Sequence, residues 1–164
     1  MAFSFRALVL AVALGSAGTQ SVAQNATIAF GGLKQDTTLP VEVQADQLSV
    51  NNADGTAVFT GNVLVGQGEM RLTAAEVRVK YAADGKAIDQ LLAVGGVTIS
   101  NLADAAEARE AVYTIDTGMV VMTGDVLLTQ GASAIAGQKL TLDLKAGTGL
   151  MEGRVSTTFV PGGD

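Results

Sequence analysis

The chain has 164 residues, carries 10 Lys or Arg against 16 Asp or Glu for a net charge of −6, and contains no cysteine, histidine or tryptophan. That inventory excludes disulfides, thiol and imidazole metal sites and Ser–His or Cys–His catalysis. The acidic balance repels a phosphodiester backbone, so no nucleic acid is expected as a partner.

Residues 1–23 read as a secretory signal peptide. Arg6 supplies a positive charge, Ala7 to Leu14 is an apolar run, and Ser21-Val22-Ala23 places small residues where a signal peptidase reads them. An apolar stretch of about 8 residues is too short for a bilayer core that needs roughly 20. Cleavage is expected near Ala23, with an uncleaved anchor as the competing reading. Export of a cysteine-free chain suits the space between two bacterial membranes. Residues 24–36 read as a flexible N-terminal segment, 37–161 as one β-domain and 162–164 as a C-terminal tail.

Alternation dominates the domain. Val41, Val43 and Ala45 take one face while Glu42, Gln44 and Asp46 take the other. Ala75, Val77, Val79 and Tyr81 oppose Glu76, Arg78 and Lys80, and Leu140, Leu142 and Leu144 oppose Thr141, Asp143 and Lys145. A two-residue period places each set on one side of a pleated strand. Turn signals separate these runs at Asn51-Asn52-Ala53-Asp54-Gly55, Ala83-Asp84-Gly85, Asp116-Thr117-Gly118 and Lys145-Ala146-Gly147. The stretch Ala103-Asp104-Ala105-Ala106-Glu107-Ala108-Arg109-Glu110 has helical propensity instead. It is expected to be a loop, or a loop with one helical turn.

A Gly-x-Val phrase recurs at Gly61-Asn62-Val63, Gly95-Gly96-Val97, Gly124-Asp125-Val126 and Gly153-Arg154-Val155. Its flanks recur too: Phe59-Thr60-Gly61-Asn62-Val63-Leu64 parallels Met122-Thr123-Gly124-Asp125-Val126-Leu127. A period of this size marks a supersecondary unit stacked on copies of itself. The unit reads as strand, polar turn, strand, Gly-x-Val, strand, Gly turn: a meander of short antiparallel strands. An all-β chain with one apolar face per strand closes into a barrel, packs two sheets, or forms a flattened roll. The candidate interior side chains are small or medium, with Met70, Met119, Met122 and Met151 among them and aromatics at only 4% of the chain. They either pack on each other or leave room for an apolar guest.

The order Leu39-Pro40-Val41-Glu42-Val43-Gln44-Ala45-Asp46, then Phe59-Thr60-Gly61-Asn62-Val63, then Val120-Val121-Met122-Thr123-Gly124-Asp125-Val126, ending in Val155-Ser156-Thr157-Thr158-Phe159-Val160-Pro161, resembles the OstA-like family. The resemblance runs from about Thr37 to Pro161. It implies an open β-jelly roll of short antiparallel strands, located in the periplasm, that shelters lipopolysaccharide acyl chains in an apolar groove. It further implies head-to-tail self-association, with the N-terminal end meeting the periplasmic domain of an inner-membrane export complex and the C-terminal end that of an outer-membrane translocon. The family's lipid-contacting positions fall on Thr37, Val41, Val43, Ile99, Tyr113 and Ile115.

An open roll has two edge strands with unpaired backbone groups, which accept another chain by strand addition. The candidate edges are the segment with Val41 and Val43 and the segment with Val155, Thr157 and Phe159. Arg71, Arg78, Lys80, Lys139 and Arg154 are scattered among carboxylates, so lipid tails rather than a phosphorylated head group are expected to drive binding. No cofactor, metal or catalytic residue is expected: Asp46, Glu76, Asp125, Asp143 and Glu152 read as solvated strand faces. The competing readings are a structural or glycan-binding β-repeat, and the periplasmic domain of the inner-membrane partner in the same export system.

Overall fold

Eleven strands and no helix occur among the described residues, which in this computed structural model are 26–29, 34–102 and 104–159. The strands are β1 (Ala26–Ala29), β2 (Glu42–Gln44), β3 (Gln47–Asn51), β4 (Thr56–Gln67), β5 (Met70–Tyr81), β6 (Ile88–Asn101), β7 (Asp104–Thr114), β8 (Met119–Gln130), β9 (Ser133–Asp143), β10 (Thr148–Glu152) and β11 (Ser156–Thr158). All pair antiparallel in one sheet of order β1-β10-β9-β8-β7-β6-β5-β4-β2, with β3 also on β4 and β11 also on β9. Residues 1–23 and 162–164, read above as signal peptide and tail, lie outside the described residues. Within residues 24–36, read as a flexible lead-in, β1 pairs with β10 from Ala26↔Met151 to Ala29↔Thr148, and Gln35 is hydrogen-bonded to two other parts of the roll.

Only the last Gly-x-Val phrase, Gly153-Arg154-Val155, separates two strands, β10 and β11. The other three sit in the middle of long strands, and the short strands of the sequence reading are halves of these. Register shifts between Thr60 and Val63 on β4, between Val94 and Val97 on β6, and between Thr123 and Val126 on β8. The glycine and its follower both take positive φ at each bulge: Gly61 and Asn62, Gly95 and Gly96, Gly124 and Asp125. Left-handed backbone of this kind favours glycine. At Gly95 the neighbouring strand also comes close, because a Cβ there would stand 2.6 Å from the Ala75 Cβ.

The bulges line up as a crease, and the sheet folds over along it into two leaves. The first leaf holds β3, residues 56–60, 76–81, 88–94, 110–114, 119–123 and 139–143, then β10 and β1. The second holds β2, residues 63–67, 70–74, 97–101, 104–108, 126–130 and 133–137, then β11. Alternation on each half-strand turns one set of side chains inward: Val77, Val79, Leu91, Ala93, Val120, Met122, Leu140 and Leu142 from the first leaf, and Val63, Val65, Leu72, Val97, Ile99, Ala106, Val126 and Leu128 from the second, all at 3% exposure or less. The two sets pack as one cluster. On the outside, polar pairs tie strands across the crease: Asn62 Nδ2 donates to Asp46 Oδ2 at 2.8 Å, and Arg109 Nε to Asp125 Oδ2 at 3.1 Å. The Arg109 bond and charge hold the Asp125 carboxyl below the usual carboxylate range.

Two sequence expectations are corrected. Residues 104–110, read as a loop or helical turn, belong to β7, paired on one side with β6 and on the other with β8; residue 103 lies outside the described residues. Ala106, Ala108 and Ala111 turn inward there, so strand pairing and burial override helical propensity. Ala75 does not share a face with Val77 and Val79. It is exposed beside the bulge at Gly95 and Gly96, where the alternation changes phase.

Candidate functional site: the mouth of the roll

Opposite the crease, each leaf ends in a row of hairpin turns. Those of the second leaf follow Gln67, Asn101 and Gln130, and those of the first follow Tyr81, Thr114 and Asp143. The two rows form the lips of a mouth, and the segment 35–39 lies across it as a strap. Gln35 spans both lips by itself. Its backbone N–H donates to Leu144 O at 2.8 Å on the first, and its Nε2 donates to Gln67 O at 2.6 Å on the second. Asp36 shapes the next residues by accepting from the Thr38 hydroxyl at 2.6 Å and the Thr38 N–H at 3.0 Å, which lowers its carboxyl pKa.

Gln67 is the centre of the arrangement. It ends β4 facing inward, in phase with Val63 and Val65, and is 1% exposed. Its Nε2 donates to Leu39 O at 2.9 Å and to Thr37 O at 3.1 Å, and its Oε1 accepts from the Tyr113 hydroxyl at 2.6 Å. The carboxamide therefore uses both protons and its oxygen, as a buried polar group must. Burial pushes the Tyr113 phenol up to about 12, with the Gln67 bond acting in the opposite direction, so the hydroxyl stays protonated and donates.

The lipid-contact positions named from the resemblance divide between core and rim. Ile99 and Tyr113 are fully buried, on β6 and β7. Val41, Val43 and Ile115 are half-buried and pack against the core cluster. Val43 is the Cα partner of Val65 on β4, and the Ile115 N–H donates to Asp89 O at 3.0 Å. Thr37 is on the strap, half-buried, with its Cγ2 3.2 Å from where a Cβ on Gly118 would stand. The structure brings Thr37 and Tyr113 together through Gln67 and makes no such link for the other four.

Among the edge residues, Val155 is half-buried against the core. Thr157 is exposed opposite Ile135, and Phe159 is 73% exposed. Gln35, Leu39 and Gln67 were missed by sequence reasoning. The signal for Gln67 was a polar residue in phase with an apolar stripe.

Two cavities lie on the outer surface. One of about 370 Å³ sits beside β2 near Glu42, Gly66 and Arg71, and one of about 590 Å³ sits over the crease near Gly61 and Gly95. None of the six lipid-contact positions lines either. Among the described residues no group of acidic side chains is placed to hold a metal ion.

A family profile described as LptA/(LptD N-terminal domain) LPS transport protein matches residues 42–148. An uncharacterized protein of Rhizobium meliloti (strain 1021) is 26% identical, over 97% of this chain and 92% of its own length. The lipopolysaccharide export system protein LptA of Escherichia coli (strain K12) is 29% identical, over 67% of this chain and 63% of LptA. The crystal structure of LptH, the LptA-homologous periplasmic component of the lipopolysaccharide transport device of Pseudomonas aeruginosa, superposes with a TM-score of 0.69 at 21% identity, covering 77% of this chain and 99% of LptH. That likeness is one of fold, the open β-jelly roll. The profile match begins in β2 and ends in β10, so it takes in both leaves and the crease between them, and the chain belongs to the LptA/(LptD N-terminal domain) LPS transport protein family.

Proposed function

We propose that this chain is a periplasmic carrier that holds lipopolysaccharide acyl chains between its two leaves and hands them along a bridge from an inner-membrane export complex to an outer-membrane translocon. The observation that carries this reading is the apolar seam between the leaves, which runs from Val43 on β2 to Met151 on β10 and Val155 just before β11. A buried methylene is worth about 0.8 kcal/mol, so a tail of roughly 12 carbons gains on the order of 10 kcal/mol gross. The inward side chains pack against each other, and a tail must part the leaves to enter. The crease permits that movement without breaking the strand ladders, and Met70, Met122 and Met151, all 1% exposed or less, are side chains that reshape readily around a guest. That cost offsets much of the gross gain, which suits a carrier that must release its cargo.

Head-to-tail association follows from the ends. At one end, among the described residues, β2 and β3 each pair only with β4, and Leu48 and Val50, opposite Phe59 and Ala57, are 53% and 60% exposed. At the other end β1 and β11 are outermost, with Phe159 beyond them. A second copy placed end to end continues both leaves and extends the seam, and a heterologous contact of this kind builds an open chain rather than a ring. The β2–β3 end would meet the inner-membrane complex and the β11 end the translocon. No catalytic step belongs to this role.

Photo-crosslinking in living cells tests it. A photoreactive residue at Val43 or Tyr113, both turned toward the seam, is expected to capture lipopolysaccharide, and one at outward-facing Arg78 is not. Equal capture at all three positions, or none, would refute the carrier reading.

A further inference from the structure

The two lips of the mouth differ in chemistry. On the first leaf the inward residues nearest the turns are apolar or aromatic: Leu91, Tyr113, Val120, Leu142 and Leu144. On the second leaf the inward residues that close the three hairpins are Gln67 with Met70, Asn101 with Asp104, and Gln130 with Ser133. Five of these six are polar. Gln67, Asn101 and Asp104 are also the buried polar or charged residues of the described chain, at 1%, 4% and 9% exposure. All three therefore fall on one lip. Gln130 extends the row by donating from Nε2 to Asp104 Oδ2 at 3.3 Å. Polar side chains are costly to bury, and apolar ones would close these hairpins more cheaply.

We propose that this lip is a recognition row for the amide and ester linkages and the chain hydroxyls of an acylated glycolipid, and that the strap stands in for those linkages at Gln67. The inference rests on the carrier reading above and adds which part of the lipid is read. The strap presents the chemistry directly. Gln67 Nε2 is satisfied by two carbonyl oxygens, those of Thr37 and Leu39, and an acyl linkage offers the same acceptor. A carboxamide also accepts from an amide N–H or a hydroxyl, and a carboxylate such as Asp104 accepts from a hydroxyl. Strands repeat every ~4.8 Å along the lip, a spacing on the scale of one packed hydrocarbon chain. With tails between the leaves, their linkages emerge at this row and the sugar remains in water.

The test compares two ligands on one protein. Lipid A carries amide and ester linkages and chain hydroxyls, whereas lauric acid offers a tail of similar length without them. Binding of each is measured by native mass spectrometry from the same mild detergent. Gln130→Met keeps the side-chain length and lies away from the strap, and Ser133→Ala is a milder second variant if the first folds poorly. Each should weaken lipid A binding by about tenfold or less, as expected for one hydrogen bond, and leave laurate within about twofold. Hydrogen exchange at the Gln35 amide, which bonds Leu144 O, should speed up when lipid A binds and not when laurate binds. Equal losses for both ligands, or no selective loss in either variant, overturn the recognition row while leaving the carrier reading intact. Unchanged Gln35 exchange with lipid A bound overturns the stand-in role of the strap. A wild-type protein that binds laurate but not lipid A overturns the carrier reading and the row together.

Discussion

Tyr113 on the first leaf and Gln67 on the second are 46 positions apart in the chain and share a 2.6 Å buried hydrogen bond that joins the two leaves at the mouth. The same carboxamide holds the strap through Thr37 and Leu39, so one side chain joins three separate parts of the molecule.

Gln67→Met should therefore destabilise the roll by about 1–3 kcal/mol, because it strands the buried Tyr113 hydroxyl and frees two partly buried strap carbonyls while keeping volume. Urea unfolding measures this. Combined with Tyr113→Phe, the loss should be less than the sum of the two single losses, since both remove the same bond. Strict additivity would mean that the two side chains do not interact.

The Tyr113 phenol gives a pH dependence with a defined sign. Its folded pKa is raised from 10.0 to about 12 by burial, so the folded state favours the protonated form. This contribution is complete below pH 10 and is lost as pH rises through 12, on the order of 3 kcal/mol in total. Stability followed from about pH 9 to about pH 12 should fall in the wild type and fall less in Tyr113→Phe. Parallel curves would show that Tyr113 does not titrate differently in the two states.

Adjacent glycines on the crease separate backbone strain from crowding. Gly95 and Gly96 both have positive φ, 87° and 84°. A Cβ on Gly95 would stand 2.6 Å from the Ala75 Cβ, whereas one on Gly96 meets nothing within 4 Å. Gly96→Ala should cost about 1 kcal/mol and Gly95→Ala clearly more, about 2–4 kcal/mol. Equal melting temperatures for the two variants would show that the strands can move apart at the crease without penalty.

Phe159→Asp should leave the melting temperature unchanged, because the ring is 73% exposed, and should weaken self-association in sedimentation velocity. Val41→Arg places a charge beside the half-buried rim of the seam and should reduce lipid loading. Wild-type behaviour in both variants would remove these ends from the docking scheme.

Salt should matter little. Raising ionic strength from about 0.1 M to about 1 M shortens the screening length from about 10 Å to about 3 Å. Binding driven by tails should persist across that range. A steep decline would mean that cations such as Arg71 contact the phosphates and dominate affinity.

The strand pattern was legible wherever alternation was strong. Leu140, Leu142 and Leu144 on and just after β9 turn inward as their spacing requires. It was not legible at β7, where Ala106, Ala108 and Ala111 fill inward positions with the residue of highest helical propensity. Only pairing with β6 before it and β8 after it decides that segment, and neither pairing leaves a mark within the segment itself. Gly-x-Val marked a repeat but not its geometry, because a bulge within a strand and a turn between strands ask for the same left-handed backbone. The Gln67 network was hidden for a related reason. Its partners at Thr37 and Tyr113 are 30 and 46 positions away, and no local spacing connects them.

The recurrence of a bulge in β4, β6 and β8 means that successive hairpins bring their own bend. Cross-section is thus fixed locally, within each pair of strands, and does not depend on how many pairs are stacked. A chain that gained or lost one hairpin would become longer or shorter by two strand widths with the same cross-section, so evolution can change the length of such a roll without redesigning how its leaves meet.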